Sequence, residues 1–470
     1  MLIKILSFIL LLQACAPGVM IKKDKPMPLP SVFIPGQTPA KDSTADMAWD
    51  KVFKDQVLIG LINEAMAHNQ ELKILEQNIA IANNEVLARS GEYLPKAGIK
   101  ANTGVEKAER FGKEGANEPL HFGNAAGVMT WEVDIWNKLR NATKAAYYEY
   151  LASLEGRRFM ITNLVAEISS SYFDLMALDN ELQIINNYID LLEKAQSMAS
   201  AQQRAGRATS LPVKRFEGEV LKNQARKYKI QQKIVVAKNR MNTLLGRYPQ
   251  EIERDPKAFQ NYSIAKIKAS IPTKLLDNRP DIRRASYELE AAKLSVSSAR
   301  AAFYPSLSID AEAGFEKFNS AHFTTPVTAL YGVAAGLTMP LLNRRAIKAQ
   351  YYTANARQVS AVYDYEQTMI KAFAEVVNQL SKVQNYTAMY DLKSRQVQAL
   401  NEAFEVSTLL FRSARVDYIE ALLTQRDALD AQLELVETKK QQLTAVVDLY
   451  KALGGGWRAQ DESEIAKSNY

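Results

Sequence analysis

Apolar side chains recur at every seventh residue through the last quarter of the chain. Val362, Met369, Val376, Val383, Tyr390, Val397, Phe404 and Phe411 form one line, and Leu422, Leu429, Val436, Leu443 and Tyr450 form a second. An unbroken seven-residue apolar line marks helices packed side by side with a left-handed supercoil. From Leu341 to Leu453 there are 113 residues without one Gly or Pro, the two residues that break helices. The two lines are four residues out of register, which predicts a tight turn between Arg412 and Tyr418 joining a long helix to a shorter returning one. From Arg344 to Phe411, 68 residues of helix would span ~100 Å at ~1.5 Å per residue, taller than a compact core.

Upstream, the apolar period changes several times. Leu61, Ile62, Ala65, Leu72, Leu75, Ile79 and Val86 recur at helical spacing and predict a helix from Trp49 to Arg89, ended by Pro95. Ile99, Ala101, Thr103 and Val105 then alternate with polar or small residues. After a polar loop from Lys107 to Phe122, the alternation returns with Ala125, Gly127, Met129, Trp131 and Val133 on one face. Period two predicts strands, here a hairpin over 97–134. A second very long helix is expected from about Asn137 to Ala205, broken at Gly206, with a return from about Pro212 to Gly246.

The same order then repeats. Tyr93-Leu94-Pro95 is echoed by Phe303-Tyr304-Pro305, Asp134-Ile135-Trp136-Asn137 aligns with Pro340-Leu341-Leu342-Asn343, and Arg207 aligns with Arg415, at offsets of 210, 206 and 208. Nearly constant offsets mean internal duplication. The halves are 49–273 and 274–453, the second carrying a strand hairpin over 306–340 and a helical hairpin over 341–453. Four strands of about ten residues, apolar on one face and small or polar on the other, suit an outer-membrane β-barrel. They cannot close one alone. An open edge in lipid would leave backbone groups unpaired, so closure calls for more than one chain, and three copies give twelve strands.

Composition narrows the compartment. With 59 basic against 52 acidic residues, interspersed, the net charge of +7 shows no basic block for a nucleic acid. Mean hydropathy is −0.23 and no apolar run is long enough for a transmembrane helix. The one apolar segment, Ile5 to Leu12 after Lys4, reads as a signal peptide over 1–14. It leads to Leu12-Gln13-Ala14-Cys15, similar to a bacterial lipobox, and Cys15 is the only Cys in the chain. A lipid on Cys15 would anchor the chain, and the Pro-rich stretch 15–48 reads as a tether. His68, His121 and His322 have no metal-site spacing, the last two falling in presumed loops. No nucleophile-base pairing or phosphate loop appears, so an enzyme is not indicated, and no cofactor is expected beyond the lipid.

The stretch Leu276-Asp277-Asn278-Arg279-Pro280-Asp281-Ile282, with Ala299-Arg300-Ala301-Ala302-Phe303-Tyr304-Pro305, resembles the signature of the TolC-type outer-membrane efflux family, in its lipoprotein branch that serves RND-type pumps. The resemblance implies a mostly α fold with a membrane β-barrel: a homotrimer with a twelve-stranded barrel and a long periplasmic helical barrel. It further implies a passive exit duct for small molecules or ions, with a periplasmic adaptor and an inner-membrane pump as partners. By the same resemblance Arg204, Gly206, Arg207, Ser413, Ala414 and Arg415 are adaptor-docking tips, and Asp417 and Tyr418 line the aperture. Asp417 is equally suited to cap the returning helix. Arg207 and Arg415 could pair with Asp417 or be solvated. A protein-secretion duct and a lipid-anchored coiled-coil adaptor are the rival readings. Residues 454–470 read as a helix stop and a polar tail.

Overall fold

The computed structural model describes residues 28–36, 43–106, 120–264, 267–319, 326–339, 344–413 and 415–458. Cys15 and the signal stretch, the loop residues 107–119, His322 and Ala414 lie outside the described residues. Chain contacts divide the described residues into two units. One holds 77–154 and 284–367; the other holds 28–76, 155–283 and 368–458.

The first unit carries a four-stranded antiparallel sheet in the order β1-β2-β3-β4, with β1 Lys96–Glu106, β2 Leu120–Val133, β3 Ser306–Asn319 and β4 Thr328–Thr338. The register follows the period-two reading. Ile99 faces Gly127, Phe315 faces both Ala125 and Ala329, and Ala311 faces Val333. The alternating apolar residues lie on an exposed face: Ile99 is 90%, Tyr331 85% and Val333 81% accessible. Apolar side chains outward on a sheet are what a hydrocarbon surround requires. β2 starts earlier than the alternation suggests, so His121 is not in a loop but in a strand, paired with Val105 and Asn319. Beneath the sheet, Phe303 packs edge-on against Tyr351, and the Trp136 ring stacks on Tyr304 while its Nε1 donates to the Pro305 carbonyl.

The helices are α1 Trp49–Val52, α2 Gln56–His68, α3 Gln70–Glu92, α4 Lys138–Arg204, α5 Ser210–Leu244, α6 Lys274–Asn278, α7 Pro280–Ala301, α8 Arg344–Arg412 and α9 Tyr418–Ala452. The two long helices, their turns and their returns fall within a few residues of the sequence expectation. The helix expected over Trp49–Arg89 is instead three pieces. Asp55 breaks it by capping α2, accepting from the amides of Val57 and Leu58. Asn69 breaks it again with extended backbone, its Oδ1 accepting from the Leu72 amide. At each break the side chain accepts from N–H groups that the new helix start leaves without a carbonyl partner. Asp134 does the same for α4, bonding the amides of Leu139 and Arg140.

The core of the second unit gathers α2, α4, α5 and α9. Leu58, Ile62, Ile161, Leu164, Ile168, Phe173, Phe216 and Met241 are buried there with Leu429, Val436, Leu443 and Tyr450. The second heptad line is therefore a packing seam. Part of the tether docks on this unit: Phe33 stacks on Phe373, and the Tyr450 hydroxyl donates to the Met47 carbonyl.

Candidate functional site

Both helical hairpins turn in the second unit by the same backbone device. In the first, Gly206 adopts φ +69°, its amide donates to Gln203, and the Arg207 amide reaches back five residues to the Gln202 carbonyl. In the second, the Arg415 amide reaches back five residues to Leu410, and the Ser413 hydroxyl bonds the carbonyls of Leu409 and Leu410. These bonds satisfy carbonyls that a helix end leaves without partners. The result is two tips that present side chains outward. Arg204, Gly206, Arg207, Ser413 and Arg415 are all exposed.

Asp417 takes the N-cap position of α9, with φ −69° and ψ 150°, yet its side chain makes no capping bond. Its carboxylate is exposed, and Tyr418 beside it is half-buried against the core of the unit. Among the described residues Arg204, Arg207, Arg415 and Asp417 form no ion pair within the chain. Among the described residues, then, no opposite charge is paired with these arginines or with Asp417. Thr209 holds the N-cap place of α5, so the acidic group belongs to the second turn alone.

At the other end of the returning helices, the chain braces each half in the same way. The Asn69 amide donates to the Leu244 carbonyl at 2.9 Å, and 210 residues later the Arg279 guanidinium donates to the Ala452 carbonyl at 2.8 Å. In each half a glycine follows: Gly246 at φ +70° against the His68 carbonyl, and Gly454 at φ +85° against the Asn278 carbonyl. Arg279 also forks onto Asp281 and reaches Glu375. Burial alone would lower its pKa, but Asp281 and Glu375 outweigh burial and raise it. The Arg-Pro-Asp-Ile stretch is therefore a structural brace. It holds the carbonyl end of α9, where a cation is favoured.

The stretch from Gly454 to Arg458 is not a polar tail. Trp457 is 7% accessible, its Nε1 donates to the carbonyls of Asn278 and Gly454, and the guanidiniums of Arg158, Arg283 and Arg458 lie over its ring. Arg158 and Arg283 both grip Glu155, which is 2% accessible, at 2.6 and 2.8 Å. Sequence reading missed this cluster, although an indole next to three glycines is a signal of close backbone packing. Among the described residues no group of ligand side chains could hold a metal ion.

Comparison with known proteins agrees with this architecture. A model of the family described as outer membrane efflux protein matches residues 61–247 and again 271–455, once per half. The probable outer membrane lipoprotein SilC of Salmonella typhimurium is 26% identical over 460 residues, covering 96% of this chain and 98% of that protein. The cation efflux system protein CusC of Escherichia coli is 24% identical, covering 92% and 94%. Among solved structures, the outer-membrane channel OprN superposes with a TM-score of 0.83 at 20% identity, covering 94% of this chain and 100% of that one. The open-state MtrE channel of Neisseria gonorrhoeae does so at 0.81 and 23%, covering 94% and 99%. A twofold match that spans both halves, on a fold shared with outer-membrane channels, shows that the chain belongs to the outer membrane efflux protein family and is an exit channel, not an enzyme.

Proposed function

We propose that three copies of the chain close into one duct that passes small molecules or ions passively out of the cell. An inner-membrane pump of the RND type supplies the energy, and a periplasmic adaptor docks on the helix turns. The observation that carries this reading is the sheet, whose β1 and β4 pair on one side only while its apolar face is exposed. In lipid each unpaired backbone group costs several kcal/mol, so the edges need neighbouring chains. Three copies make an even barrel of twelve strands, wide enough for a lumen. The names of the relatives, a cation efflux protein among them, support a role in efflux without fixing the cargo.

The anchor in this reading is a lipid on Cys15. Cys15→Ser is expected to abolish incorporation of labelled palmitate into the chain, while the barrel keeps the chain in the membrane fraction; a variant that still takes up the label would remove the anchor. At the mouth, three copies of Asp417 would draw cations to the aperture. Asp417→Asn is expected to lower the cation-to-anion permeability ratio in planar bilayers several-fold, and an unchanged ratio would leave Asp417 as a helix-start residue only. The adaptor is tested from Ser413→Cys, exposed at the second turn, carrying a photo-cross-linker in cells. Capture of an adaptor belonging to an RND pump supports the reading, whereas capture of an ABC-exporter adaptor would turn it to protein secretion.

A further inference from the structure

We infer that the outer side of α4 and α8, just below the sheet, binds anionic phospholipid headgroups of the membrane's periplasmic leaflet through Arg140, Lys144, Arg344, Arg345 and Lys348. All five lie in the first unit, so the inference holds for each copy by itself. The sheet tells the two sides of α4 apart. Trp131 shares the apolar face of β2 with Gly127 and Met129, and its Nε1 donates to the Tyr93 carbonyl at 2.9 Å. The Arg140 guanidinium lies 5.7 Å from the centre of that Tyr93 ring. Glu132 belongs to the opposite face of β2, and it holds Lys138 at 2.6 Å. Two residues along a helix turn through about 200°, so Lys138 marks the inner side of α4 and Arg140 the outer one. Lys144 and the half-exposed Tyr147 follow Arg140 by four and seven residues on the same stripe.

The sides of α8 follow from α4. Glu149 stands about three turns from Lys138 on the inner side. It lines a cleft of about 540 Å³ together with Gln350, Thr353 and Arg357 of α8, so that cleft opens inward. Ile347 and Tyr351 take the side that packs on Phe303. Lys348 and Tyr352 each lie about 200° round the helix from Gln350, on the outer side. There the Lys348 ammonium is 5.5 Å from the centre of the Tyr352 ring. Arg345 and Arg344 precede Lys348 by three and four residues and adjoin it. Arg140, Lys144, Arg345 and Lys348 are exposed, and Arg344 is half-buried.

Among the described residues none of the five cations is in an ion pair. The first acid on α4 is Glu149, on the inner side, and the first on α8 is Asp364, about 30 Å from Arg344 at ~1.5 Å per residue. Asp134 is taken by the amides of Leu139 and Arg140. Arg140 with Lys144, and Arg344 with Lys348, set like charges four residues apart, which destabilises a helix. Their place in the first turns, at the positive end of the helix dipole, adds to the repulsion. A layer of phosphate diesters relieves both, and the position of the stripe supplies that layer. It begins where the exposed apolar face of the sheet ends, and tyrosines interleaved with long basic side chains suit the headgroup zone of a bilayer. Each Lys or Arg held near an anionic membrane surface strengthens binding about fivefold.

The test weighs the full-length protein by native mass spectrometry, in nonionic detergent with equimolar phosphatidylglycerol and phosphatidylcholine of the same acyl chains. The unaltered protein is expected to retain phosphatidylglycerol over phosphatidylcholine about fivefold or more. A variant carrying Arg140→Gln, Lys144→Gln, Arg344→Gln, Arg345→Gln and Lys348→Gln should bring the ratio near one. Gln in place of Lys54, Lys73, Lys257, Lys268 and Lys274 removes the same charge from exposed positions of the second unit and should leave the ratio unchanged. The milder pair Lys144→Gln with Lys348→Gln should lower the ratio at least twofold, and it decides the matter if the larger variant does not fold. A ratio near one in the unaltered protein, an undiminished ratio after loss of the outer cations, or an equal loss in the second-unit variant overturns the binding surface.

Discussion

Replacing Arg279 with Leu is expected to destabilise the second unit by about 3–5 kcal/mol, the range for removing one partner of a buried ion pair. The side chain is 6% accessible and holds Asp281 through both carboxylate oxygens, at 3.0 and 2.6 Å. Leu fills similar volume but donates nothing. The Asp281 carboxylate loses both guanidinium bonds, and the Ala452 carbonyl, at the negative end of α9, loses its donor. Glu375 is half exposed and can turn to water, so it adds little. Arg279→Lys should fall between, because an ammonium keeps the charge and loses the fork. The measurement is the temperature at which helical circular dichroism is lost; a Leu variant that melts with the unaltered chain would show that Arg279 is not what braces α9.

The second large effect separates two glycines of like conformation. Gly206 and Gly454 have φ of +69° and +85°, where any L side chain is strained by roughly 1–2 kcal/mol. A Cβ on Gly206 meets nothing within 4 Å, whereas on Gly454 it would lie 2.5 Å from the Asn278 carbonyl oxygen and 2.6 Å from its carbon. Those are backbone atoms tied to Arg279 and Trp457, and they cannot swing aside. Gly206→Ala should therefore cost about 1–2 kcal/mol, and Gly454→Ala about 1–3 kcal/mol more, the usual range for overpacking. Gly246→Ala should behave like Gly454→Ala, since its Cβ would stand 2.3 Å from the His68 oxygen. Thermal melts of the three variants decide it, and similar losses for Gly206 and Gly454 would mean that φ alone governs both sites.

These two sites also show where reading the chain stopped. The Arg-Pro-Asp-Ile stretch was recognisable as a motif, but its partner carbonyl lies 173 residues away and carries no side-chain signal. Asn69 occupies the matching place with a different donor, so the common task of the pair is visible only in the hydrogen bonds. The glycines before Trp457 read as a helix stop, and in part they are one. That they also admit an indole among three guanidiniums depends on α4, α7 and α9 meeting at one point.

The tips divide in a similar way. Their positions were legible because a heptad line that changes register must be interrupted, and Gly206 and the Arg412–Tyr418 break supply the interruptions. Whether Arg207 and Arg415 pair with Asp417 was not, because an ion pair depends on distances that no spacing records. By itself, then, the sequence determined the periodic parts: the two long helical hairpins, the four strands and their apolar face, and the duplication that relates the halves. These follow from local repeats of two, three and a half, and about 208 residues, which any stretch of chain carries within itself. Only the tertiary structure decided the breaks at Asp55 and Asn69, the burial of Trp457 and the braces on Leu244 and Ala452. Each is a contest between a local propensity and a partner far along the chain, and the outcome is set by which unsatisfied backbone group the fold brings within reach.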